Sequence, residues 1–201
     1  MRQRAFAWLY HKYISGCRIP APVDPFSSDV RAPLLAQAAG RILEIGAGDG
    51  VNLPLYPTDA QVTLLDPNLY LLRYVPSPAR RVRGLGERLP FARDHFDTVV
   101  MIHVLCSVRS QADVLAEVQR VLRPGGLFVF LEHVAAPPRT LTRRFQHLFN
   151  PFWRAVGDGC HLTRETGAAI ESAGFRAVNV RSFRAGYPFF VSWHIAGSAQ
   201  T

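Results

Sequence analysis

The stretch Leu43-Glu44-Ile45-Gly46-Ala47-Gly48-Asp49-Gly50 decides how this 201-residue chain is read. Its first half continues the apolar run Arg41 to Ile45, which predicts a first strand. Its glycines then let the backbone turn tightly and approach a ligand closely before a helix begins. A dinucleotide fingerprint needs glycines at relative positions 1, 3 and 6. Here Gly46, Gly48 and Gly50 hold positions 1, 3 and 5, and Val51 stands at position 6.

Charge separates the candidate ligands. Glu44 and Asp49 bracket the loop and would repel a pyrophosphate, whereas they suit the ammonium and sulfonium groups of S-adenosylmethionine. Taken alone, the loop also fits a plain strand-to-helix turn. Further along, strand 2 is predicted over Gln61 to Leu65 and ends at Asp66 and Pro67. Asp66 can accept both hydroxyls of a ribose, or it can cap a helix starting near Asn68. After a short strand 3, Arg81 to Arg83, the run Gly84 to Phe91 offers backbone amides to an adenine edge through Gly86 and Glu87. The cofactor set expected from these loops is Glu44, Gly46, Gly48, Gly50, Asn52, Asp66, Pro67, Gly86, Glu87 and His103.

The remaining pattern alternates strand and helix. Phe96 to Ile102 reads as a buried strand 4. Gln111 to Leu122 reads as an amphipathic helix stopped by Arg123-Pro124-Gly125-Gly126, and Leu127 to Leu131 as strand 5. Ala135 to His161 reads as an inserted helical hairpin, Thr163 to Ala173 as a helix, and Ala177 to Phe183 and Phe189 to Ala196 as two last strands. Near the N-terminus a Pro-rich connector, Ile19 to Pro25, precedes a helix starting at Ser27 or Ser28. The fold class expected is therefore α/β: a Rossmann-like seven-stranded, mostly parallel sheet with helices on both faces and an antiparallel C-terminal hairpin. One domain spans residues 1–201, with a helical lid or cap over 1–38, a cofactor-binding half over 39–135 and a substrate-side insertion plus hairpin over 136–201.

Composition narrows the partners. The net charge is +8, but of 23 Lys and Arg only Lys12 is lysine, and the arginines are scattered without interleaved aromatics, so no nucleic acid is expected. Three cysteines without a Cys-x-x-Cys pair suggest free thiols in a reducing compartment. No apolar run long enough for a membrane span and no signal sequence stand out, which suggests a cytoplasmic protein. The aromatic and basic segment Arg2 to Ile14 reads either as a lid packed on the domain or as a helix lying on a membrane surface. The oligomeric state is left unassigned.

The set Leu43 to Gly50, Asp66, Glu87 to Phe91, Phe96-Asp97 and Val121 to Gly126 resembles class I S-adenosylmethionine-dependent methyltransferases. More narrowly, His103-Val104-Leu105-Cys106-Ser107-Val108, Leu131-Glu132-His133-Val134-Ala135-Ala136 and Asp158 to Glu165 resemble the microsomal alkyl-thiol methyltransferases of animals. The resemblance implies S-methylation of small lipophilic thiols with S-adenosylmethionine as donor. Two departures stand out: animal members begin with a hydrophobic anchor not seen here, and Leu85 stands where such enzymes often place an acid.

Methyl transfer from a sulfonium is an in-line displacement, so the protein has mainly to align the acceptor. A thiol near pKa 8.5 gains from a neighbouring base. His133, after strand 5, is the first candidate and His103, after strand 4, the second, although each also reads as an ordinary hydrogen-bonded histidine. Glu132, Phe149, Trp153, Cys160 and Arg164 are expected around the acceptor, with the aromatics of the insertion forming either a hydrophobic lid or plain core. Cys106 reads as a small buried apolar residue. Apart from the neighbours Cys160 and His161, no histidine pairs with a histidine or cysteine at zinc-ligand spacing, so no metal is expected. N-methylation of an amine or phospholipid headgroup, and non-catalytic binding of cofactor or membrane, are the competing readings.

Overall fold

The computed structural model describes residues 2–11, 30–76 and 78–201. Seven strands form one sheet in the order β3-β2-β1-β4-β5-β7-β6. They are β1 (Arg41–Ile45), β2 (Gln61–Asp66), β3 (Arg80–Arg83), β4 (Phe96–Ile102), β5 (Leu122–His133), β6 (Arg176–Arg184) and β7 (Trp193–Gln200). The first five pair in parallel, while β7 runs antiparallel to both β5 and β6. The chain order reverses beside β1, where a doubly wound sheet opens its ligand crevice at the carboxyl ends of the strands.

The helices are α1 (Arg2–Tyr10), α2 (Ala32–Leu35), α3 (Leu69–Leu72), α4 (Gln111–Val121), α5 (Leu141–Val156) and α6 (Thr166–Ser172). Alternation along the central strands sends Leu43, Ile45, Val99, Met101, Phe128 and Phe130 to one face, where they meet Val114, Leu115 and Val118 of α4 and Ile170 of α6. Ile42, Val100, Val129 and Leu131 point to the other face and meet Leu34 and Leu35 of α2. Two apolar layers thus clamp a sheet whose central strands are buried on both sides. At α4, Ser110 accepts the amide of Asp113 and closes the helix start.

Several boundaries differ from the sequence expectation. The insertion is one helix, α5, not a hairpin: Thr140 caps it, and Pro151 is carried inside it at the loss of one backbone bond. Buried Gln146 compensates by accepting from the amide of Ala136 at 2.8 Å and donating to the carbonyl of Phe190 at 2.9 Å. β5 begins at Leu122, because the Arg123 to Gly126 turn is absorbed as an irregularity opposite Phe96 and Thr98. The last strand starts at Trp193 instead of Phe189, since Phe189–Val191 coil into a 3-10 turn. The Pro-rich connector, the helix expected at Ser27 or Ser28, and the last residues of the Arg2 to Ile14 helix lie outside the described residues. Among the described residues no helix is long and apolar enough to cross a membrane.

A surface cavity of about 590 Å³ lies at the amino ends of the strands, lined by Arg41, Gln61, Arg80 and Phe96. The glycine loop, Asp66 and the residues that follow β4 and β5 sit at the opposite end.

Candidate active site

Gly46, Gly48 and Gly50 adopt φ of 71°, 59° and 80°, the left-handed region that an L side chain resists. The turn is tied to β2: the amides of Gly46 and Ala47 both donate to Leu65 O, at 2.7 and 3.1 Å. The amide of Gly48 donates to Asp66 Oδ2 at 2.9 Å, and that of Asn68 to Asp66 Oδ1 at 2.7 Å. Asp66 therefore joins the glycine loop to the start of α3, while the helix cap itself falls to Asn68, which accepts from the amide of Tyr70. Burial raises the Asp66 carboxyl, with the two amides opposing.

Glu44 lies behind the loop rather than on it. It is 1% exposed, and its oxygens accept from Asn52 Nδ2 at 2.7 Å and Tyr56 OH at 2.9 Å. Burial pushes its carboxyl up to about 7. Glu44 and Asn52, expected to touch the cofactor, are thus engaged with each other beneath the turn. Asp49 faces forward. Its Oδ2 lies 2.8 Å from Nδ1 of His11, whose ring stacks on Tyr74 at 3.9 Å. Asn68 Nδ2 also donates to Gln3 O, so α1 packs across α3 and reaches the glycine loop.

Pro67, directly after β2, is exposed; on the third loop, Gly86 is buried against Ile45 and Val114, Leu85 is exposed, and Glu87 accepts the amide of Arg109 at 2.8 Å. Glu87 is therefore occupied in pinning the segment before α4.

At the end of β4, His103 is held at φ 57° with its ring 5.3 Å from that of His194. Burial, then His194, push its imidazole well below the usual histidine range, so it stays neutral. His194 lies opposite His133 in the β5–β7 register, and burial lowers it to about 4.

Glu132 and Arg164, expected beside the acceptor, are instead engaged with the backbone between β4 and α4. The fully buried Glu132 carboxylate accepts from the amides of Val104, Leu105 and Cys106 at 2.8, 2.9 and 3.3 Å, and burial pushes it up to about 7. The Arg164 guanidinium donates to the carbonyls of Leu105 and Val108. The amide of His161 donates to Cys106 O at 2.9 Å. These bonds stitch the 158–164 segment to the 104–108 loop.

The stitching brings three side chains together. Cys160 Sγ lies 3.7 Å from Nδ1 and 4.0 Å from Nε2 of His133, and Cys106 is adjacent; the ligand atoms of all three lie within 4.8 Å of one another. Both cysteines are free thiols. Cys106 Sγ donates to His103 O at 3.6 Å; the proximity of the two thiols raises Cys106 and holds Cys160 well below the usual thiol range, with His133 and Trp153 assisting. Against them stands an aromatic wall. Phe149 packs 5.3 Å from Phe190, Trp153 lies 5.3 Å from Phe190, and Phe145 stacks on Phe149 at 5.2 Å. The charge of Asp158, two residues before Cys160, adds a little to the raising of Asp66.

Cysteine and histidine thus converge where chain spacing predicted no metal-binding set. His11, Gln146 and His194 were also not singled out. Only His194 left a signal, by falling in a strand whose register pairs it with His133.

A family model described as "Methyltransferase domain" matches residues 43–130. The chain is 39% identical over 169 residues to the thiol S-methyltransferase TMT1A of Homo sapiens, a match that covers 79% of this chain and 69% of that protein. The chain belongs to the class I S-adenosylmethionine-dependent methyltransferases. To the thiol S-methyltransferase TMT1B of Rattus norvegicus it is 42% identical over 149 residues, 69% of this chain, and it spans only 61% of that relative's length. Among solved structures, a S-adenosylmethionine-dependent methyltransferase from Mesorhizobium loti is 22% identical with a TM-score of 0.64, covering 85% of this chain and 95% of that one. S-adenosylmethionine is the cofactor of this family.

Proposed function

We propose that this methyltransferase transfers the methyl group of S-adenosylmethionine to the sulfur of a small lipophilic thiol. The observation that carries the reading is the pairing, at one end of the crevice, of the aromatic wall Phe149–Trp153–Phe190 with the His133–Cys160 contact. An apolar wall takes up an alkyl group, and the polar end serves a sulfur that must lose its proton. The names of the relatives point the same way.

In this reading Asp66 accepts from the ribose hydroxyls, as well as from its two backbone amides, and carbonyls of the glycine loop meet the aminoacyl end. Gly86 lies under the adenine. His133 assists thiolate formation and the aromatic wall aligns the sulfur with the methyl. Displacement then forms the new carbon–sulfur bond as the sulfonium bond breaks, leaving a thioether and S-adenosylhomocysteine. His103, held neutral, lines the pocket. The exposed apolar stripe Leu141, Leu148, Phe152 and Val156 on α5, with Trp8 on α1, supports delivery of such acceptors from an apolar surface, and contact of a cytoplasmic protein with a membrane belongs to this proposal.

Incubation with methyl-labelled donor and two panels, alkyl thiols and amine lipids, tests it. Label is expected in the thiols. Label confined to the amines would transfer the assignment to N-methylation, and tight donor binding without turnover on either panel would make the protein a binding module.

A further inference from the structure

Cys106, His133 and Cys160 converge from three separate parts of the chain. Each residue comes from a different segment: Cys106 from the loop after β4, His133 from the end of β5, and Cys160 from the stretch between α5 and α6. Their ligand atoms lie within 4.8 Å of one another, and Cys160 Sγ is 3.7 Å from His133 Nδ1. A tetrahedral zinc ion with bonds of about 2.3 Å to sulfur and about 2.0 Å to nitrogen sets its ligand atoms roughly 3.5 to 3.8 Å apart. The cluster needs only small rotations to reach that spacing. Two thiolates and one imidazole are soft and borderline donors of the kind that select zinc over magnesium or calcium.

We propose that Cys106, His133 and Cys160 bind one zinc ion, leaving its fourth position open toward the aromatic wall for the sulfur of the acceptor thiol. Three protein ligands with a free position is the pattern of a reactive zinc, whereas a purely structural zinc takes four. The surroundings are built to hold the ligands still. Glu132 fixes the amide of Cys106, the amide of His161 fixes the carbonyl of Cys106, and Arg164 fixes the carbonyls of Leu105 and Val108 on either side of it. Cys106 and His133 are buried, while Cys160 is partly open, so access comes from its side. Two thiolates neutralise the divalent ion, which makes the loaded site tolerable in a buried place.

The role of the open position rests on the thiol reading above; the metal site rests on the three side chains alone. The acceptor RSH enters as the fourth ligand, its proton leaves to solvent, and its sulfur is held as a thiolate at neutral pH. A lone pair of that sulfur attacks the methyl carbon, the bond from methyl to the donor sulfonium breaks with its electron pair staying on the donor sulfur, and the neutral thioether dissociates from the metal. His133 then assists thiolate formation as a ligand and not as a proton acceptor.

Cobalt(II) uptake by the full chain, reduced and stripped with a chelator, tests the site without any turnover. One equivalent is expected to bind with an intense thiolate-to-cobalt charge-transfer band and the visible spectrum of a tetrahedral ion, and zinc should displace it. Cys106→Ser, Cys160→Ser and His133→Ala should each weaken cobalt binding by about a hundredfold or more, the upper end of what losing even a supporting partner costs. Retained binding of S-adenosylhomocysteine shows that each variant is folded. Reduced wild-type protein that binds the donor product but takes up neither metal overturns the proposal, as does a Cys106–Cys160 disulfide in the isolated protein whose reduction yields no metal uptake. Equal uptake by wild type and Cys160→Ser overturns it too. Adding an alkyl thiol should then perturb the cobalt bands where an amine of similar size does not. An unperturbed spectrum rejects coordination of the acceptor, and since uptake is read without substrate, failure of the thiol reading leaves the metal result standing.

Discussion

Glu44 and Glu132 are buried carboxyls pushed up to about 7, and His194 is a buried imidazole lowered to about 4. Their effects on stability have opposite signs. The folded state holds a proton on each glutamate that the unfolded chain gives up near 4.5, so this contribution is full below about 4.5 and is lost as pH rises through about 7. His194 contributes fully above 6.5, and that contribution is lost as pH falls toward 4. The terms partly cancel between pH 4.5 and 6.5 and leave a fall toward pH 8. Glu44→Gln removes one acid term and is expected to improve stability at pH 8 relative to pH 5 by about 2–3 kcal/mol compared with wild type, read by urea unfolding at the two pH values. An unchanged difference would mean that Glu44 is ionised throughout. At this scale the glycine turn was legible, because positive φ at Gly46, Gly48 and Gly50 is a demand that composition records directly. The Cys106–His133–Cys160 cluster was not, because its members lie 27 residues apart or more along the chain pairs that touch, and only the fold brings them within reach.

Two elements carry the crevice, and each has its own consequence. The loop from Val104 to Val108 has no regular structure to hold it, so Glu132 from below and Arg164 from the side do so. Replacing Arg164 with Ala leaves two carbonyls without their charged donor. It is expected to cost about 2–3 kcal/mol of unfolding free energy and to raise the KM for the acceptor more than that for the donor. A stable variant with unchanged kinetics would show that the loop holds itself. Helix α1 meets the donor loop through His11 on Asp49. His11→Ala is expected to speed donor release by roughly tenfold, in line with a charge-assisted bond of about 1.5 kcal/mol, with little change in thermal stability; stopped-flow displacement reads it. The amphipathic α4 was legible from its period, and its cap from Ser110. The insertion was misread as a hairpin because Pro151 signals a break, and only the Gln146 bolt, a tertiary contact, shows why one helix survives it.

Across the whole molecule, strand and helix alternation was enough to give the parallel half of the sheet, since each buried strand records its environment as an unbroken apolar run. The antiparallel end was read less well: the edge strand β6 is exposed along much of its length, and Phe189 and Phe190 look like strand residues although they serve the aromatic wall beside α5. The sheet brings Asp49 and Asp66 to the carboxyl ends of β1 and β2 in a chain carrying a net charge of +8. In the proposed donor site, acids so placed in a basic protein would favour a cationic nucleoside over a nucleotide. Calorimetric titration of wild type and Asp66→Ala with S-adenosylmethionine is the direct measurement. One equivalent should bind the wild type, and the variant should bind about 10- to 150-fold more weakly, the cost of losing charge-assisted bonds worth about 1.5–3 kcal/mol. Equal affinity in the two folded proteins, or no heat in either, would contradict the account.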